Sequence, residues 1–283
     1  MLSVPDAPYF SFKTDNYGSN PAATFGTQIT HGTSNGEGTY AQVIAASALT
    51  QDISAIMLQI HTQSGTGART LLVDIGVDPA GGTAWQTVVA NLVCGQCPAV
   101  TATGGGHRFL FPLQVKAGSA IAVRGQSATV TSGTFYAAMR VYGQPSAPHV
   151  MPTGMYSETI GAITNSGGVS FTPGNAGDGS WASLGTTTRD LWWWQICYQV
   201  DNGTVTAEYT YVDIAFGDAN NKQIINRILH GGTTAETSSD FLGSNLNAFA
   251  AYCPVPAGST IYIRGRCNNS PDTGYNGVAV GIG

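Results

Sequence analysis

Val115-Lys116-Ala117-Gly118-Ser119-Ala120-Ile121-Ala122-Val123-Arg124-Gly125 reappears 140 residues later as Val255-Pro256-Ala257-Gly258-Ser259-Thr260-Ile261-Tyr262-Ile263-Arg264-Gly265. Within each copy Ile121 and Val123, or Ile261 and Ile263, alternate with a second set of side chains, the period of a half-buried strand. Other blocks recur in the same order. Gly38-Thr39-Tyr40-Ala41 matches Gly179-Ser180-Trp181-Ala182. Val73-Asp74-Ile75 matches Val212-Asp213-Ile214, and Val88-Val89 with Leu92-Val93 matches Ile224-Ile225 with Ile228-Leu229. Order preserved over so many blocks marks two tandem copies of one domain.

The copies span residues 22–143 and 155–283. Between them, residues 144–154 hold Pro145, Pro148 and Pro152, which favour an extended, stiff linker. Residues 1–21 precede the first copy and carry Tyr9, Phe10 and Phe12 among prolines. Three aromatic residues so close together suggest an arm that packs on its own domain or on a neighbour. Trp192 to Val200 alternates apolar and other residues, and Asn202-Gly203 follows as a hairpin signal. The Val88 and Ile224 blocks have helical spacing, but their β-branched content favours strands with a bulge. The expected fold is therefore all-β: two tandem jelly-roll-like antiparallel β-sandwiches behind an extended N-terminal arm.

Charged residues are only 10% of the chain, glycine accounts for 37 of 283 residues, and the formal net charge is -5. Eleven Lys and Arg residues leave no electrostatic footprint for nucleic acid. Hydrophobic content of 42% exceeds what a disordered chain carries. No run approaches the roughly 18 apolar residues of a membrane span, and Met1–Phe10 has neither part of a signal peptide. What is expected is a globular protein with a neutral polar surface. Such a surface suits a subunit held among neighbours, where each buried charge costs desolvation.

The Val-Asp-Ile strands at Val73–Asp78 and Val212–Asp218, followed by Val115–Gly125 and Val255–Gly265, resemble tandem jelly-roll structural proteins of tailed-bacteriophage particles. The resemblance implies a non-enzymatic virion subunit: an outer capsid decoration, cement or spike protein, or a tail or fibre component. It implies other virion proteins as partners and supplies no catalytic residues. Trp192-Trp193-Trp194 has no counterpart in the first copy.

Few constellations suggest chemistry. Cys94, Cys97, Cys197, Cys253 and Cys267 are odd in number, so one chain cannot pair them all. Cys94-Gly-Gln-Cys97 lacks the second pair that zinc requires and the helix that a redox motif requires, so a local bridge or free thiols are expected. Gly32-Thr33-Ser34-Asn35-Gly36 fits a nucleophile-elbow pattern without a helix to follow. His31, His61, His107, His149 and His230 are scattered. The loops at Asp78 and Asp218 offer oxygen ligands that suit either calcium or turn hydrogen bonds, and turn chemistry is favoured. No cofactor or metal is expected.

Four charges recur at matching positions. Alternation places Asp74, Arg124, Asp213 and Arg264 on faces opposite the core, where Asp74 pairs with Arg124 and Asp213 with Arg264, or the arginines reach a neighbouring subunit. Trp193 points the same way and needs a partner, either protein or a sugar ring. A homo-oligomer follows from the neutral surface and the arm, with a trimer the first expectation. The alternative function is a carbohydrate-binding module contacting host glycans, with Tyr40, Trp85, Trp181, Trp193, Tyr209, Tyr211 and Tyr275 as stacking platforms.

Overall fold

The computed structural model describes residues 14–17, 26–32, 36–63, 71–94, 107–127, 133–143, 154–161, 168–200, 210–230, 249–268 and 275–283. Tyr9, Phe10, Phe12, Cys97, His149, Tyr209, the Asn202-Gly203 turn and residues 144–153 of the linker lie outside them. The N-terminal arm supplies β1 (Thr14–Tyr17). The strands of the first copy are β2 (Thr27–Thr30), β3 (Ala41–Ile44), β4 (Ile53–Gln63), β5 (Leu71–Asp78), β6 (Gln86–Cys94), β7 (His107–Phe111), β8 (Ala120–Ser127) and β9 (Thr134–Gly143), with which β1 pairs. A single turn of 3₁₀ helix, Ala46–Ala48, sits between β3 and β4. One sheet runs β1-β9-β4-β7 with β2 also on β9, and the other runs β3-β8-β5-β6. Each sheet thus alternates early and late strands, the two-Greek-key order of a jelly roll.

The second copy contains β10 (Ser157–Ile160), β11 (Val169–Phe171), β12 (Gly174–Asn175), β13 (Ala182–Thr186), β14 (Leu191–Val200), β15 (Thr210–Gly217), β16 (Lys222–His230), β17 (Phe249–Val255), β18 (Thr260–Cys267) and β19 (Tyr275–Ile282). Its sheets run β10-β19-β14-β17, with β11 also on β19, and β12-β18-β15-β16, with β13 also on β18. Element by element this is the order of the first copy. Even the short parallel pairing of β12 with β18, Gly174 opposite Arg266, has a first-copy match in the isolated bridge of Gly32 to Gln126.

The recurring Ala-Gly-Ser is a turn. Ser119 N–H donates to Lys116 O, and Ser259 N–H to Pro256 O, each at 3.3 Å. Gly118 and Gly258 lie at φ 79° and 82°, in the left-handed region where a side chain is strained, although a Cβ there would meet nothing. A carboxylate just before β4 or β14 fastens each turn: Ala117 N–H donates to Asp52 and Ala257 N–H to Asp190, both at 2.8 Å.

Bulges recur as well. The register of β5 against β6 passes from Val73–Leu92 to Ile75–Val89, so β6 sets two residues, Ala90 and Asn91, opposite Asp74, and Asn91 takes φ 49°. A second shift, between Ile75 and Gly76, recurs between Ile214 and Ala215 opposite β16, whereas Asp213 stays in register with Arg227. This is how helical spacing in the Val88 and Ile224 blocks is accommodated by strands. The bulge flips the phase, so Val89, Leu92 and Val93 are all buried.

A third bulge corrects one expectation. Alternation alone puts Trp192 in the second core beside Trp194. Instead the register against β17 shifts between Leu191 and Trp193, and at the matching point of the first copy β4 shifts against β9 between Ile53 and Ala55. Leu191, Trp194, Ile196 and Tyr198 then share the second core. Trp192 is left half-buried, its ring 6.0 Å from that of Tyr252, and Trp192 and Trp193 pack against the first copy's core cluster.

That contact belongs to a broad seam. The first core cluster extends across the copies to take in Cys197, Val278, Val280 and Ile282 of β14 and β19. Polar ties surround it. Ala90 N–H donates to Thr159 Oγ1 at 3.1 Å, Ser157 Oγ to Val88 O, Gln114 N–H to Gly154 O at 2.8 Å, and Gly154 N–H to Pro112 O at 2.8 Å. The sheet that contains β14 and β19 is therefore covered on both faces: its own core on one side, the first jelly roll on the other.

Candidate functional site

The four recurring charges meet on the outer faces of the β5–β8 and β15–β18 pairs. Register sets Asp74 opposite Arg124 and Asp213 opposite Arg264. In the first copy Arg124 Nε and Nη2 each lie 2.8 Å from Asp74 Oδ2, and Asn91 N–H donates to Asp74 Oδ1 at 2.7 Å. Arg124 Nη1 also reaches Glu37 at 2.5 Å, and its guanidinium covers the Tyr40 ring at 4.6 Å. The second copy repeats the plan with different residues. Arg264 Nε is 2.9 Å from Asp213 Oδ2, Nη2 is 2.8 Å from Asp178, and the guanidinium covers Trp181 at 4.3 Å. Each arginine is thus held by two carboxylates in its plane and one aromatic face.

On these faces opposite the core, Asp74 and Asp213 are nevertheless only 4% and 3% exposed. The planar arginine and the aromatic residue above it exclude water from the sheet surface. Burial alone would raise the Asp213 carboxyl. Hydrogen bonds from Arg227 and Arg264 outweigh it, and the pKa is lowered.

The copies differ around this shared centre. Arg227 Nε and Nη2 bind Asp213 at 2.6 and 2.8 Å in the place that Asn91 occupies in the first copy. Arg266 stands where Gln126 stands, and Tyr211 where Leu72 stands. In the first copy all three are buried, and Gln126 Nε2 donates to Asn91 Oδ1 at 3.3 Å. In the second copy Tyr211 is 43% exposed and Arg266 is exposed. A hollow of 520 Å³ opens there, lined among others by Asp178, Tyr211, Asp213, Arg227, Arg266 and Asn268. Arg266 forms no ion pair among the described residues.

The other sequence candidates are dispersed. Trp193 is half-buried between β17 and β19 and packs on the first core. Its Nε1 and the amide of wholly buried Gln195 have no hydrogen-bond partner among the described residues. Tyr275 is core, 5.5 Å from the Phe171 ring. Tyr40 stacks on Trp85 at 5.9 Å. The loop carboxylates serve turns. Asp78 takes the N–H groups of Ala80 and Ala84 at 2.9 Å, and Asp218 those of Asn220 and Asn221 at 2.7 Å. These bonds lower both pKa values. No three His, Cys, Asp or Glu side chains cluster as a metal site among the described residues. Ser34 of the elbow pattern lies outside them.

Cys94, Cys197, Cys253 and Cys267 are free thiols. Burial pushes Cys197 up to about 12 and Cys94 well above its usual range, with the Cys197 thiol adding to the shift in Cys94. Neither supplies a thiolate at neutral pH. Iodoacetamide at pH 8 is therefore expected to spare Cys94, Cys197 and Cys267 in the folded protein and to modify partly exposed Cys253 alone of these four. Mass spectrometry before and after unfolding checks this. Modification of Cys94 at the rate of Cys253 would contradict the packing.

Glu37 and Asp178 escaped the sequence reading although each precedes a recurring Gly-x-aromatic block. Arg227 and Arg266 escaped because they occupy positions where the copies differ, and a search for identities passes over these.

No protein-family model and no curated protein matches the chain. Among solved structures, the chain is similar to PNGF-II at 10% identity and a TM-score of 0.42, over 96% of this chain and 64% of that one. It is similar to PNGase F, a glycosylasparaginase from Flavobacterium meningosepticum, at 10% identity and a TM-score of 0.40, over 96% of both chains. It is also similar to a chain of the cowpea mosaic virus top component, a naturally occurring empty particle, at 10% identity and a TM-score of 0.37, over 90% of this chain and 87% of that one.

Proposed function

We propose that this chain is a non-enzymatic structural subunit of a virus particle, of the tailed-phage type its repeated blocks resemble, acting through protein–protein contact as a decoration, spike or tail component. The carrying observation is the fusion of two jelly rolls into one block whose recurring charges are engaged internally. Arg124 offsets one of the two charges of Asp74 and Glu37, and Arg227 and Arg264 balance Asp213 and Asp178. The exterior is left mostly to neutral polar side chains. A surface so short of charge does little to keep copies apart.

Light scattering of the purified chain at high concentration is expected to give a homo-oligomer, with a trimer the first expectation. Immunolabelling is expected to find the chain on intact particles. Deleting residues 1–13, which spares β1 on the edge of β9, should lower assembly while leaving the circular dichroism spectrum unchanged. A monomer that no particle fraction retains would overturn the reading. One observation favours a second role in saccharide binding: the open hollow beside Tyr211 and Arg266, a pocket volume within the range of small-molecule sites.

A further inference from the structure

We infer that the hollow on the second jelly roll is a binding site for a saccharide bearing a single carboxylate, such as a uronic or sialic acid. The inference rests on the saccharide-binding reading of that hollow and is independent of the virion role. The internal duplication supplies the argument. At three matched positions the closed copy holds Leu72, Asn91 and Gln126, and the open copy holds Tyr211, Arg227 and Arg266. Packing requires none of these changes, because the closed set fills the same sheet face. All three move toward polar recognition of a ligand.

Charge accounting selects the ligand class. The hollow is lined by the guanidinium groups of Arg227 and Arg266 and the carboxylates of Asp178 and Asp213, and Arg264 binds both aspartates from beside it. Arg227 and Arg264 are occupied by the two aspartates. The remaining positive charge is that of Arg266, whose fork is free to grip a carboxylate through two parallel hydrogen bonds. A monoanion matches one spare charge. A dianion would bring a second negative charge beside two aspartates. Tyr211 lies directly across from Arg266 in the β15–β18 register, and its half-open ring offers an apolar face for a pyranose. Asp178 uses Oδ2 for Arg264 and is 41% exposed, so it also presents a carboxylate oxygen that can accept from sugar hydroxyls. Anion, ring face and hydroxyl acceptor together fit an acidic sugar better than a simple ion.

Titration calorimetry of the intact chain with D-glucuronate and N-acetylneuraminate, beside glucose, galactose, acetate and inorganic phosphate, tests this. At least one acidic sugar is expected to bind saturably, and the neutral sugars and small anions at least tenfold more weakly. Arg266→Gln should cut the acidic-sugar affinity at least tenfold, and Tyr211→Leu several-fold. Both side chains are exposed, so the thermal midpoint should stay put, which separates lost binding from lost folding. Neutral sugars binding as tightly as acidic ones, unaffected by Arg266→Gln, would overturn the carboxylate assignment and leave the saccharide role standing. Acetate or phosphate matching the acidic sugars, with Tyr211→Leu silent, would reduce the hollow to a plain anion site and overturn it. No saturable binding of any sugar would overturn both.

Discussion

Replacing Asp213 by alanine is expected to cost about 3 kcal/mol of folding stability, the lower end of what breaking a buried ion pair costs. The carboxylate is 3% exposed and receives hydrogen bonds from Arg227 and Arg264. Without it, two guanidinium groups face each other over a strand with Asp178 as their remaining acid. Arg227 is 51% exposed and can turn to water, which keeps the cost from the upper end. Asp74→Ala acts differently. It strands one arginine that still has Glu37, and it also removes the acceptor of Asn91 N–H at the bulge. Chemical denaturation of both variants measures the costs. An Asp213→Ala cost within a few tenths of a kcal/mol of zero would show that the cluster contributes no stability.

The pH dependence follows from the lowered pKa of Asp213. A carboxyl with a depressed folded-state pKa contributes fully above its unfolded value, near 3.9, and loses that contribution as pH falls through the folded value. The stability gap between the parent and Asp213→Asn should therefore be flat from neutral pH to about pH 5 and close below about pH 4. A gap that widened in acid would have the wrong sign for this cluster.

The second large effect concerns the seam. Residues 154–283 expressed alone would bring Cys197, Val278, Val280 and Ile282 to water, together with the half-buried Trp192 and Trp193. At about 1.5–3 kcal/mol for each large apolar side chain, the exposure approaches 10 kcal/mol, comparable to the whole stability of an ordinary domain. The isolated half is expected to aggregate or to melt without a cooperative transition, whereas the full chain melts cooperatively. Calorimetry on both decides. A soluble half that unfolds in one sharp step at the parent's midpoint would show the two jelly rolls to be independent.

The repeat was legible because the turns and the charged centres need particular residues. Glycine at positive φ and the Asp–Arg pairs are chemical requirements that leave the same letters in both copies. Strand type at Val88 was legible only through β-branching, since spacing misleads where a bulge flips the phase. The burial of Trp192 against the first copy was not legible. It depends on the register shift between β14 and β17 at Leu191–Trp193 and on a neighbouring sheet that alternation within one strand does not report. The hollow was hidden for another reason. It exists as a difference between copies, at Tyr211, Arg227 and Arg266, and differences stand out only once a shared backbone register gives them the same coordinates.

One of the two matched faces is shut and the other open, and this bears on valence. If the chain assembles as proposed, each subunit would present one such hollow among its described residues, held in a fixed orientation to the first jelly roll by the seam. If the hollow binds as proposed, sites so spaced would convert weak contacts into firm attachment. Once one hollow is filled, the next meets its ligand at an effective concentration set by geometry, and avidity can exceed single-site affinity by roughly 10²–10⁴ without any new contact. A feeble monovalent constant would then be the property that lets a particle roam a decorated surface before it stays.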